Sequence, residues 1–335
     1  MIPMRSPFSP FKNNFHEKKM DNDQKIGFVD KKWGYLSIVA AMIFFGISST
    51  FNKILLSDIH PISLAALTYI IAGLFLIGIR FSPLKDKILN ILNQKTKPDD
   101  SIKAKDYGIL FLTAILGTVL APIIFLNGLN ATTAVNTSLL MNSETLFIIL
   151  IGFFFLKERF VKKDYIGFSF LILGTIFLTT NGHIENISIS SDFGNILILT
   201  AAFFWSIDTS LGKLLSVKRD LLLISAIKCS IGGIILFLIS LILNLSFEIP
   251  LYNLPYLLTI GIVSVALSFV LIYFATREIG SARVGSIFPL SALFGAIFAF
   301  LILGEPFSFL QLLFGFLMFL GIFILYKNGK YQENV

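Results

Sequence analysis

The stretch LLMNSETLFIILIGFFFLKERF, residues 139–160, decides what kind of protein this is. It is almost wholly apolar until Lys157. It is also long enough to cross a hydrocarbon layer of ~30 Å, which takes about 20 residues of helix. Yet Glu144 lies inside it. A carboxylate at the centre of a bilayer costs ~2.5–3.5 kcal/mol on insertion scales, so Glu144 is expected to face protein or a water-filled cavity.

The same texture extends outward along the chain. Of its 335 residues, 55% are hydrophobic and 14% charged, and the mean hydropathy is +0.82. The apolar residues come in long blocks and not in short alternations with polar ones, which excludes a soluble globular domain. Ten blocks have the length of a membrane span, at about residues 33–56, 62–80, 107–129, 134–156, 164–181, 193–214, 221–243, 254–276, 282–303 and 308–327. The connection 81–106 is too polar to span and is expected in water or partly on the membrane surface. Residues 1–32 lack the apolar core of a signal peptide and read as a basic tail; residues 328–335 form a second tail.

Lysine and arginine then orient the chain. Of the 27, all but Lys53 and Lys228 fall in the two tails, in connections that follow even-numbered blocks, or within two residues of the block ends that border them. Positive residues gather on the cytoplasmic side, so the expected topology is ten spans with both termini cytoplasmic, in the plasma membrane. Topology thus accounts for the net charge of +7 without a nucleic-acid partner. The expected partners are membrane lipids and a small-molecule substrate, with the chain a monomer or a homodimer.

A second copy of the opening stretch occurs as SIFPLSALFGAIFAFLILGEPF, residues 286–307. In register, Leu146-Phe147 meets Leu293-Phe294, Glu158 meets Glu305 and Phe160 meets Phe307. The first block echoes the sixth likewise: AMIFFGISSTFNKILL (41–56) against AAFFWSIDTSLGKLLS (201–216) brings Lys53 onto Lys213 and Phe45-Gly46 onto Trp205-Ser206. The unit is therefore five helices, residues 33–181 and 193–327. An odd number of spans turns the second copy upside down, and inverted repeats meeting around a midplane site are a transporter architecture.

These residues carry a resemblance to the drug/metabolite transporter superfamily, and within it to the ten-span EamA-type members. Its marks are the aromatic-Gly pair with a following Lys in the first span (Phe45-Gly46 to Lys53) and the Gly-Glu type ending of the fourth and ninth spans. Glu144 stands fourteen residues before Glu158, where the family often has a Glu-Pro pair; here Thr145 replaces the proline and Lys157 the usual glycine. The resemblance implies an exporter working by alternating access, with Glu144 lining its central cavity.

Within the spans, Glu144 and Asp208 are candidates for holding a proton or a cationic solute; the alternative for each is a structural carboxyl bonded to a neighbouring helix. Trp205, one turn before Asp208, and Ser48, the repeat position of Asp208, would shape the pocket. Asn142 would bond a substrate or bridge helices. Lys228 would bind a carboxylate, pair with Asp208 or extend to the interface, whereas Lys53 and Lys213 lie near helix ends, where extension to the interface is the default. Glu158 and Glu305 read as loop anchors. Pro122 and Pro289 mark hinges or simple kinks. The runner-up is an exchanger of anionic metabolites using Lys53, Lys213 and Lys228, and a different class is a membrane scaffold or lipid scramblase. Cys229 is the only cysteine, the histidines (His16, His60, His183) lie outside the spans, and the sequence has no P-loop, HExxH or CxxC motif. No metal, no cofactor and no enzymatic activity is therefore expected.

Overall fold

A computed structural model describes residues 13–83, 85–92, 104–156, 164–179, 189–216, 220–279, 284 and 287–329. All regular structure among them is helical. The helices are α1 (Asn13–Leu55), α2 (Pro61–Phe81), α3 (Ala104–Ala114, continuing through Ile115–Leu120 into Ala121–Asn130), α4 (Ala134–Leu140, then Ser143–Leu156) and α5 (Asp164–Thr179). They continue as α6 (Ile189–Ser216), α7 (Leu221–Ile242), α8 (from Leu251–Asn253 to Ser268–Ile279), α9 (Leu290–Phe298 and Ala299–Leu303) and α10 (Phe309–Gly329). A short helix, Lys85–Leu92, follows α2. Glu158, the side chain of Lys213, residues 84 and 93–103 of the connection 81–106, and both tail ends lie outside the described residues.

Among the described residues, six helices are long and apolar enough to cross a membrane: those of Lys32–Leu55, Pro61–Phe81, Asp106–Asn130, Asp192–Gly212, Leu221–Ile242 and Leu251–Thr276. Shorter apolar helices run over Tyr165–Leu178, Leu290–Leu303 and Phe309–Ile324. Large apolar side chains such as Leu74, Ile242, Phe309 and Phe316 are exposed, as lipid-facing positions of a membrane protein should be. Hydrogen bonds within each helix satisfy the backbone where lipid cannot.

The helices pack in related pairs. α1 lies against α8 and α9, and α6 lies against α3 and α4. α2 packs on α7 and on α8, while α7 packs also on α3. α5 packs on α10, and α4 on α9. Exchanging α1 with α6, α2 with α7, α3 with α8, α4 with α9 and α5 with α10 leaves this set of pairs unchanged. Both α4 and the chain entering α9 are interrupted, at Met141–Asn142 and at Phe288–Pro289, which face one another in the repeat register. Proline explains only the second. In α4 the backbone N–H groups of Asn142, Glu144 and Thr145 reach back three residues, to the carbonyls of Leu139, Met141 and Asn142 at 3.2, 3.1 and 3.2 Å. Tightened turns therefore break the helix without a proline at Thr145.

Charged side chains fasten the helix ends. Lys53 Nζ donates to the carbonyls of Leu129 (2.7 Å), Asn130 (3.3 Å) and Thr132 (2.5 Å), at the C-terminal end of α3, where carbonyls lack partners and the helix dipole is negative. This is a defined anchor, more than simple extension to the interface. Gly304 ends α9 with φ +68°, a left-handed conformation that glycine adopts without strain. The next residue, Glu305, places one carboxylate oxygen 3.0 Å from Ala134 N and the other 2.8 Å from Val135 N, at the start of α4, where Thr133 also caps the helix. Lys53 and Glu305 thus hold the two sides of the α3–α4 turn. Asp220 caps α7 through Leu222 N and Leu223 N and pairs with Arg80 at the end of α2. In the turn after α1, Asn253, Tyr252 and Ser57 donate to Asp58 and hold its carboxyl below the usual carboxylate range.

Replacing Glu305 by Ala removes a charged helix cap, a change worth about 0.5–2 kcal/mol, and should lower the apparent unfolding temperature of the detergent-solubilised protein. Glu305→Gln, which keeps one acceptor oxygen, should lose less. Equal unfolding temperatures for all three proteins would remove the cap from the account of stability.

Candidate functional site

A partly open cavity of about 90 Å³ lies among α1, α2, α3, α4, α6, α8 and α9. Its walls carry Phe45, Phe125, Trp205, Phe269 and Phe288, together with Ser48, Asn52, Asn142, Ser264 and Ser291. Glu144 is the one carboxylate among the lining residues. It is 6% exposed, at the start of the second segment of α4, and its Oε1 accepts a hydrogen bond from Thr209 Oγ1 at 2.9 Å. The helix interruption is what brings it inward: Asn142, Glu144 and Thr145 all line the cavity on and just past the break.

Both candidate prolines stand at helix irregularities in the cavity wall. Pro122 lines it two residues beyond the π-helical segment Ile115–Leu120, and Pro289 lines it from the turn preceding Leu290. Widened turns of this kind recur at functional sites. In α3 the widened segment presents the Gly117 carbonyl to its neighbours: Trp205 Nε1 donates to it at 2.9 Å and Tyr69 Oη at 3.4 Å. Trp205 therefore has its indole N–H satisfied while its ring lines the cavity and lies 5.2 Å from Phe125, centroid to centroid. Ser48 also lines the cavity and accepts from Asn52 Nδ2 at 2.9 Å.

Asp208 and Lys228 take a different place. Neither is among the lining residues. Lys228 Nζ lies 2.6 Å from both carboxylate oxygens of Asp208, and the two residues are 3% and 6% exposed. The ammonium also sits 5.2 Å from the centroid of Phe269, a residue that lines the cavity. Space for Asp208 exists only because residue 117 is glycine: a Cβ there would fall 1.9 Å from Asp208 Oδ2. Of the alternatives open to these residues, mutual pairing is the one present.

Several lining residues offer polar atoms that no protein group engages. Asn142 is 2% exposed, and neither its Nδ2 nor its Oδ1 has a protein partner. Asn52 Oδ1, Thr68 Oγ1 and Ser264 Oγ are in the same condition. Buried polar atoms cost free energy unless bonded, so this wall is suited to accept hydrogen bonds from water or a polar solute. Thr209, Tyr69, Ser264 and Phe269 were not singled out from sequence. Thr209 was within reach: the register that sets Ser48 against Asp208 also sets Ser49 against Thr209, and both hydroxyls bond to α4, Ser49 to Ser138 at 2.8 Å.

The EamA-like transporter family matches the chain twice, over residues 32–180 and residues 192–327. An uncharacterized transporter of Methanothermobacter thermautotrophicus is 52% identical over 307 residues, covering 90% of this chain and 89% of its own. The uncharacterized transporter YetK of Bacillus subtilis is 27% identical over 316 residues, covering 91% and 90%. A solved crystal structure has a TM-score of 0.61 at 15% identity, covering 91% of this chain and 99% of that one, a likeness of fold alone. With its helices apolar enough for a bilayer and its family matched along both stretches, this chain belongs to the EamA-like transporter family and is a membrane transporter.

Proposed function

We propose that the protein is a secondary transporter that exports small organic solutes by alternating access, in exchange for protons. Its ten spans, with both termini cytoplasmic, form two inverted five-helix repeats (33–181 and 193–327) that rock about the central cavity in the plasma membrane, as a monomer or homodimer. Two features support the repeats: the family matches twice, and the helix pairing is unchanged when the halves are exchanged. Candidate solutes are amphipathic metabolites, amines and amino acids.

One observation carries this reading: among the described residues, Glu144 is the only carboxylate in the wall of a cavity that also carries Phe45, Phe125, Trp205, Phe269 and Phe288, within a helical membrane protein. A carboxylate in such a wall attracts a proton or an amine, and the rings around it suit the apolar or cationic part of a solute. Asn142, Ser48 and Trp205 shape and hydrogen-bond the solute, and Pro122 and Pro289 act as hinges where the helices are already irregular. The anion-exchange reading is weaker, because Lys53 is held by three carbonyls and Lys228 by Asp208. The Asp208–Lys228 pair serves as a neutral anchor between α6 and α7.

Proteoliposomes enclosing a pH-sensitive dye and challenged with a panel of amines and amino acids test the coupling. Wild-type protein should move protons when a transported solute is added, and Glu144→Gln should abolish that movement while eluting as a folded species. Proton movement undiminished in Glu144→Gln would take the carboxyl out of the mechanism. The anchor is tested separately. Lys228→Met strands a buried carboxylate at a cost of about 3–5 kcal/mol, so its unfolding temperature should fall sharply, and adding Asp208→Asn should restore most of the loss. A single variant as stable as the wild type contradicts the anchor.

A further inference from the structure

We propose that Thr209 is the positioning residue for Glu144 and ties the protonation state of that carboxyl to the placement of α6; this builds on the reading of Glu144 as the coupling carboxyl. The contact is direct, with Thr209 Oγ1 2.9 Å from Glu144 Oε1 across the α4–α6 interface. Apart from Asn142, whose amide has no protein partner, the polar groups that neighbouring helices bring near Glu144 are engaged elsewhere. Asp208 on α6 and Lys228 on α7 neutralise each other, Tyr69 on α2 donates to Gly117, α5 brings Thr175 to Ser143 at 3.1 Å, and α9 contains no charged residue between Leu290 and Leu303.

A hydroxyl is suited to this position in a way that an ammonium or an amide N–H is not. It donates to a carboxylate and accepts from a carboxylic acid by rotating about one bond. Thr209 can therefore serve Glu144 both before and after it takes a proton. The two bonds differ in strength, because a hydrogen bond to an ionised group is roughly twice as strong as one between neutral groups. Protonation of Glu144 loosens α6 from α4, and displacement of α6 leaves the ionised form without its donor at a site only 6% exposed. The same helix carries Trp205, one turn away in the cavity wall, and Asp208, the next residue, bound to α7. A shift of α6 therefore changes the shape of the cavity together with the partner of the proton-binding group, so each biases the other.

A merely structural helix–helix hydrogen bond, common between membrane helices, would affect stability and leave titration alone. Infrared spectra of the purified full chain in lipid separate the two. The protonated-carboxyl band missing from Glu144→Gln belongs to Glu144, and its intensity against pH gives a titration midpoint without any solute. Thr209→Val keeps the volume and removes the hydroxyl; it should displace that midpoint by about half a unit or more and move the band's frequency, with Thr209→Ser restoring both. Thr209→Ala serves if the valine variant is poorly folded. A midpoint and frequency unchanged in folded Thr209→Val or Thr209→Ala overturn the proposal. If the midpoint moves but no solute drives protons through the wild type, the role of Thr209 stands and the coupling reading falls.

Discussion

Lipid offers a side chain no hydrogen bond, and this constraint governs where each polar residue of the chain can stand. Around the α3–α4 turn the solution is helix chemistry. Lys53 takes the orphan carbonyls of α3, and Glu305 takes the orphan N–H groups of α4. Between α6 and α7 the solution is an ion pair, with Asp208 and Lys228 removing each other's need for water. Neither device serves the buried polar atoms of Asn52, Thr68, Asn142 and Ser264 on the cavity wall, nor those of Thr50, Ser63 and Ser225 away from it. On that wall Glu144 accepts a hydrogen bond from Thr209.

Much of this was legible in the sequence because it follows from composition and spacing. Block length fixed the membrane class, and Glu144, the carboxylate within the apolar part of residues 139–160, was expected to face inward, as it does. The echo between 139–160 and 286–307 was legible too, but the interruption of α4 in the register of Phe288–Pro289 was not, because no proline marks it. What spacing does not encode is which of several partners a polar side chain chooses. Lys228 had three options, and the choice of Asp208 depends on Gly117, far away in sequence, leaving room for the carboxylate. Lys53 could have extended freely; its capture by α3 carbonyls depends on where the turn after Asn130 sits. Thr209 was missed because an isolated threonine in a span is ordinary, and its meaning comes only from the carboxylate on another helix.

The two halves share a scaffold but not its chemistry. In the repeat register Glu144 lies opposite Ser291, and Asp208-Thr209 lies opposite Ser48-Ser49. Glu144 and its donor Thr209 therefore meet at the α4–α6 interface, while the corresponding interface of α9 with α1 is built from serines, glycine and aromatic rings. In the mechanism we propose, the two rocked arrangements have similar contacts, and a ligand can favour one of them only through unequal affinity. A proton on Glu144 would then affect the α4–α6 contact through Thr209 and leave the α9–α1 contact unchanged. On that proposal the asymmetry gives proton binding a direction: it weakens one of two matched interfaces, which is the minimum that coupling to a rocking motion requires.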